Sequence, residues 1–305
     1  HRVQPSLPHA GGSELSPHLD QEAGRVWLRL EMRALARALR TREEAQRSAI
    51  GAALLFRAQR QALYPSARAL EAAVERNEGL AEYTGFMLCG ASPEVRAERA
   101  AQKLLGDEQG DSFVRSFAYA TGPGYGLLLD QHARGWRERI GKESELAALL
   151  ASATSWRSPA DLGAAAEAAS ASYDGAMVRA SEHARAEKQA AREAELRAKY
   201  VTGPVLVLPL GAGMSYTFDP TEITTVAGLG TFYGAFTVTD EWGVLAAEGG
   251  ALVERGAAGA MQAVRVPVDG QGADAPRAGP GWKLTLASGK TLVAGARAGD
   301  WTVAR

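Results

Sequence analysis

The sequence predicts an α+β protein, with a mainly helical part over residues 1–200 followed by a small antiparallel β-rich part over 201–305. Three observations carry this expectation. Charged side chains fall from 53 in the first 200 positions to 16 in the last 105, and the second part holds 18 of the 34 glycines. In the first part apolar residues recur at helical spacing, as in Trp27, Leu30, Leu35 and Leu39. In the second, short β-branched and aromatic runs such as 205–208, 231–236 and 283–286 are set between turn-forming steps such as Asp269-Gly270 and Ser288-Gly289.

The helices have readable ends. Ser16-Pro17 supplies an N-cap and a first-turn proline for the run through Leu39. Thr41-Arg42-Glu43-Glu44 is a capping-box pattern leading into Ile50, Leu54 and Leu55. Tyr64-Pro65 stops that helix, and the next runs from Ser66 to Cys89, where Gly90 closes it. Ser92-Pro93-Glu94 starts a short helix, and Asp111 caps one through Val114, Phe117 and Ala118. Ser158-Pro159-Ala160-Asp161 opens an Ala-rich helix that reaches Lys199. Its Glu193–Arg197 and Glu195–Lys199 pairs add only about 0.2–0.5 kcal/mol each, so this helix needs a surface to pack on or a partner.

Composition bounds the function. A length of 305 residues accommodates two medium domains, and a net charge of −1 argues against nucleic acid as a bulk electrostatic partner. No run of eighteen uncharged apolar residues is present, so no transmembrane helix is expected. A single cysteine, Cys89, excludes an internal disulfide and a thiolate zinc cluster, and its apolar neighbours predict a buried small hydrophobe. The chain opens on His1 instead of methionine, which predicts a processed or truncated piece. His9, His18, His132 and His183 do not pair at metal-binding spacing. Gly122, Gly124 and Gly126 lack the preceding strand and the Lys-Ser/Thr step of a phosphate loop, and no Gly-x-Ser-x-Gly elbow occurs.

The most informative segment is 74–85. If it is helical, Leu70, Val74, Ala81, Gly85 and Leu88 form a buried stripe, and Glu78 falls inside it. A carboxylate turned toward a core is costly unless it is paired, protonated or bound to a metal. Glu82 projects one turn further on. Gly79 costs roughly 1 kcal/mol in a helix interior, which predicts a close approach to this helix by another element. A slightly rotated helix with both glutamates solvated is the simpler alternative.

Asn77-Glu78-Gly79-Leu80-Ala81-Glu82-Tyr83 resembles the second zinc-site motif of gluzincin metallopeptidases, the Asn-Glu-Gly-Phe-Ala stretch of aminopeptidase N-like enzymes. The resemblance implies a zinc-dependent hydrolase of peptide bonds, with Glu78 as metal ligand and Glu82 as a carboxylate that orients a ligand histidine. The HExxH helix of that family is absent, but His1-Arg2-Val3-Gln4-Pro5 is similar to its continuation. On that reading His1 is the second zinc ligand and the chain as given is inactive. A Tyr/Gly segment downstream of the glutamate, similar in kind to that of aminopeptidase-like enzymes, puts forward Tyr125, then Tyr119 and Arg115, to assist the developing oxyanion. The same glycines and tyrosines also fit a tight helix–helix junction. The resemblance further implies Zn²⁺ as cofactor, a peptide or protein substrate, and a periplasmic or extracellular location. Glu22, Arg25 and Glu31, on the helix that would follow the zinc helix, fit either a support network or a solvated face, and the solvated face is the preferred reading. The competing functional reading is a non-catalytic helical interaction module with a β-domain, in which the 158–200 helix docks a partner.

Overall fold

In the computed structural model, which describes residues 15–141, 145–256, 259–268 and 275–304, helices run from Pro17 to Thr202 and strands from Val205 to Val303. The α+β architecture is therefore as the composition predicts. The chain divides into two compact units, His1–Ala186 and Glu187–Arg305.

In the helical unit, α1 (Glu22–Arg40) is buried along most of its length and packs against α2 (Glu43–Leu63), α5 (Pro93–Asp107) and α6 (Ala118–His132). Leu28, Leu30, Leu35, Phe56, Phe117, Leu128 and Leu149 form its fully buried apolar centre. Between α2 and α5 lie α3 (Ala67–Val74) and α4 (Leu80–Leu88), and α6 is followed by α7 (Leu146–Ala153), α8 (Leu162–Ser170) and α9 (Gly175–Arg197).

Several predicted helix ends move. Ser16-Pro17 opens a short 3₁₀ turn, Pro17–Asp20, ahead of α1. The cap of α2 is Arg42 rather than Thr41, whose hydroxyl donates back to the Arg37 carbonyl at 2.8 Å. The helix predicted over 158–199 breaks in two at Asp174, which takes a left-handed conformation (φ 57°). Asp161 caps α8, accepting from the Ala164 amide at 2.9 Å. Cys89 is exposed, contrary to its apolar neighbourhood.

The segment predicted as one helix from Ser66 to Cys89 contains a π-helical turn, Glu75–Gly79, joining α3 to α4. A π-turn inserts one residue into the helical repeat and rotates everything after it. The stripe that begins at Val74 therefore does not continue: Gly85 is exposed and Leu88 is 80% exposed, while Tyr83 takes the inward position at 4%.

The β unit is a sandwich whose larger apolar cluster lies between its two sheets, with a smaller one of Leu196, Tyr200, Val226, Phe232 and Leu252. A seven-stranded sheet has the order β11 (Leu292–Ala294), β12 (Trp301–Val303), β1 (Val205–Pro209), β8 (Met261–Pro267), β7 (Ala251–Arg255), β4 (Gly230–Tyr233), β3 (Ile223–Val226), and a five-stranded sheet the order β2 (Ser215–Phe218), β5 (Phe236–Asp240), β6 (Gly243–Ala247), β10 (Trp282–Leu286), β9 (Ala278–Gly279). Leu206, Val264 and Val266 of the first sheet share a cluster with Val238, Leu245 and Leu284 of the second. The sheet is not wholly antiparallel as predicted, because β1 (Val205–Pro209) pairs in parallel with β12 (Trp301–Val303) while pairing antiparallel with β8 (Met261–Pro267).

Candidate functional sites

The close approach predicted at Gly79 is present. A Cβ on Gly122 of α6 would lie 2.3 Å from the Gly79 Cα, so the π-turn and α6 meet backbone to backbone and only glycine fits. Gly126 makes room in the same way for the Tyr83 ring, 2.3 Å from the position of its missing Cβ. The spaced glycines of α6 thus serve a helix junction, the second of the two roles the sequence allows.

That junction places Glu78 against α6 and the segment before it. Glu78 is 4% exposed; Tyr119 donates its hydroxyl to Oε2 at 2.5 Å, and Arg115 forms an ion pair with Oε1. The Tyr119 hydrogen bond and the Arg115 charge hold the Glu78 carboxyl below the usual carboxylate range, and the same bond pushes the Tyr119 hydroxyl up. Three of the residues singled out in the sequence, Glu78, Arg115 and Tyr119, therefore do meet. Tyr125 lies elsewhere, fully buried, its hydroxyl donating to Glu31 at 2.7 Å. Glu82 faces α5, its carboxylate 3.9 Å from the Lys103 ammonium. His1 lies outside the described residues.

The zinc assignment does not stand. Among the described residues no three His, Cys, Asp or Glu side chains are placed to hold a metal ion. The Glu78 carboxylate is instead paired with a guanidinium and hydrogen-bonded by a phenol, which satisfy it without a metal. The reading of the chain as a gluzincin, a zinc-dependent hydrolase or a protease is corrected accordingly, as is Zn²⁺ as its cofactor. The seven-residue motif is accounted for by local physics: Glu78 needs partners, Gly79 needs to touch Gly122, and Tyr83 fills the space over Gly126.

Behind Glu78 lies a charge network that the sequence reading missed. Arg57 and Arg60 of α2 are 2% and 0% exposed, and Glu31, Glu71 and Glu75 are each 0%. Arg57 bonds Glu75 at 2.6 and 3.0 Å, Glu31 at 3.1 Å and Glu145 at 3.2 Å. Arg60 forks onto both oxygens of Glu71 at 2.7 and 2.8 Å and pairs with Glu31 at 2.6 Å. His18 adds a contact to Glu71 at 2.8 Å, and Thr121 donates to Glu75 at 2.6 Å. Burial works against both guanidinium charges, but the surrounding carboxylates overcome it and raise both above the ordinary arginine value. Burial would raise Glu71, yet Arg60, His18 and Arg57 outweigh it and hold this carboxyl far below its usual range. In Glu75 burial wins, and its carboxyl is pushed up. A signal existed: Arg57 and Arg60 continue the Ile50, Ala53, Leu54 stripe as Glu78 continues Val74. Arg25, read as part of a solvated face, is also buried, its Nε donating to Glu182 at 2.6 Å.

In the β unit the distinctive surface is the edge strand β2 (Ser215–Phe218). Tyr216 and Phe218 pair across to Val238 and Phe236 of β5 (Phe236–Asp240), both buried, so all four side chains share one face of the sheet. Yet Tyr216 and Phe218 remain 44% and 42% exposed. Their rings stack on each other (6.2 Å between centroids), Tyr216 stacks on Phe236 (5.8 Å) and Phe218 tilts onto Tyr233 (4.9 Å). The ladder continues as Asp219 N–H donates to the Ala235 carbonyl at 3.2 Å. Alternation along an antiparallel pair then turns the backbone groups of Tyr216 and Phe218 outward, away from β5. The strand carries no charge, but Asp219 follows it directly and Asp240 stands at its other end, beyond the Ser215–Thr239 pair.

Comparison with known proteins adds no relative: no family model, no curated protein and no solved structure matches the chain.

Proposed function

We propose that this chain is a polypeptide-binding protein whose β unit receives an extended peptide along the free edge of β2. The observation that carries the reading is the exposed Tyr216–Phe218 pair on an uncharged edge strand. Edge strands in monomeric proteins are usually blunted by lysine, proline or a bulge, because an open ladder recruits other chains. β2 has none of these. Its outward amides and carbonyls match a strand in the β-augmentation mode, and the two rings supply an apolar ledge for alternate side chains of the guest. Asp219 and Asp240 favour a guest with basic residues at both ends.

The test uses a synthetic peptide that alternates valine and threonine between terminal lysines. Titrated into the labelled protein, it should shift the amide resonances of Tyr216 and Phe218 and slow their hydrogen exchange. Phe218→Lys should weaken binding by at least about tenfold. Shifts confined to other regions, or undiminished binding by Phe218→Lys, would overturn the reading. The 158–200 segment that the helix-docking alternative invoked is two helices, and Glu182 on α9 is engaged by Arg25 and Arg29 of α1.

A further inference from the structure

The helical unit contains a cavity of about 400 Å³ bordered by α2, α7 and the turn after α7. From its lining we infer a binding site for a small organic monoanion, a carboxylate or sulfonate on a compact apolar body. One side is apolar: Leu54 of α2, Ala147 and Ala151 of α7, and the indole of Trp156. The indole wall is built in. Trp156 donates its backbone N–H to the Ala151 carbonyl at 2.9 Å, and its ring lies 3.7 Å from where Gly51 would carry a Cβ. A volume near 400 Å³ falls within the roughly 300–1,000 Å³ span of small-molecule sites.

The charge of the lining selects the ligand. Arg57 reaches the cavity but is buried and neutralised from behind by Glu31 and Glu75. Among the described lining residues Glu145 is then the single carboxylate, bonded by Arg57 and Gln61 as well as Arg68, and Arg68 and Arg157 together outnumber it in charge. Arg68 is 68% exposed, and its Nε donates to Glu145 Oε2 at 2.8 Å. This bond orients the guanidinium plane while an anion can still approach its Nη edge, the geometry that favours a planar carboxylate. The apolar wall and the cationic mouth together call for an amphiphilic ligand: a bare inorganic ion would leave the Trp156 side empty, and a neutral hydrocarbon would leave the arginines unanswered.

The experiment compares 4-phenylbutyrate with its uncharged amide, using calorimetry and saturation-transfer NMR on the whole chain. The acid should bind with a Kd below about 1 mM, and the amide at least about fivefold more weakly, as expected for charge-assisted bonds at a partly exposed site. Substituting both Arg68→Ala and Arg157→Ala should bring the acid down to the amide's affinity. Trp156→Ala should weaken both ligands. Both arginines are exposed, so their removal leaves the fold intact, which circular dichroism checks. Equal affinities for acid and amide, no binding of the acid, or unchanged binding by the double arginine variant would each overturn the assignment. None of these outcomes bears on the β2 edge.

Discussion

The two units solve the problem of a core by opposite means. In the β unit the interior is aliphatic and aromatic, with Asp300, 7% exposed, the one buried charged side chain among its described residues. In the helical unit Arg57, Arg60, Glu31, Glu71 and Glu75 are sealed inside alongside the leucines. An apolar core loses stability in proportion to the volume removed and adapts to similar shapes. A buried ion network instead depends on every member, because deleting one strands the charge of another in a medium that cannot solvate it.

The largest expected effect is a direct contrast of volume-conserving swaps. Arg57→Met should cost about 3–5 kcal/mol, since Glu31 and Glu75 lose their common cation. Leu245→Met in the β unit should cost under about 1.5 kcal/mol. Urea titrations followed by hydrogen exchange resolved by peptide can separate the units, because peptides from 1–186 report on one and peptides from 187–305 on the other. A mild Arg57→Met and a severe Leu245→Met would invert the comparison.

A second contrast is acid sensitivity. Glu71 and Glu182 have carboxyls depressed in the folded state, so their contribution is complete above the unfolded carboxylate pKa of about 4.3 and drains away as pH falls below it. Glu75 is shifted the other way and works in the opposite sense, gaining protons on folding. Asp300 is depressed by Arg297 and the Val205 amide, and it is the β unit's single buried carboxyl of this kind among the described residues. Between pH 5 and pH 2 the helical unit should therefore lose protection first, as read by amide hydrogen exchange resolved by peptide. Equal loss in both units would mean that the network is not what makes the helical unit acid-labile.

The smallest effect sharpens the comparison inside the helical unit. Arg115 is 47% exposed, so Arg115→Ala should lower the midpoint of thermal unfolding far less than Arg57→Met does, although its partner Glu78 is buried. A loss as large as that of Arg57→Met would place Glu78 functionally among the sealed carboxylates instead of at their margin.

The α+β class was legible because composition changes along the chain, and the junction at Gly79 because glycine inside a helix requires a reason. What stayed hidden has a common cause. Arg57 and Arg60 continue the apolar stripe of α2, but nothing in the sequence pairs them with Glu71 and Glu75 until the third dimension brings α2, α3 and the π-turn together. The π-turn leaves no residue signature in Glu75-Arg76-Asn77-Glu78-Gly79, yet it redirects the whole of α4. The Asn-Glu-Gly motif resembles a zinc site in sequence, whereas the inward carboxylate by itself left pairing, protonation or a metal equally open. The partner it found, Arg115, lies 37 positions away.

The parallel pairing of β1 with β12 sets an order of events in biosynthesis. Leu206 and Val207 meet Trp301 and Thr302, nearly a hundred residues later in the chain. During translation β1 emerges long before β12 and keeps one flank open until β12 follows it out of the ribosome, so the seven-stranded sheet closes late. Contacts of such long range are formed late and slowly. A deletion that removes 301–303 would strip β1 and β11 of a neighbour at once, since among the described residues β11 pairs only with β12.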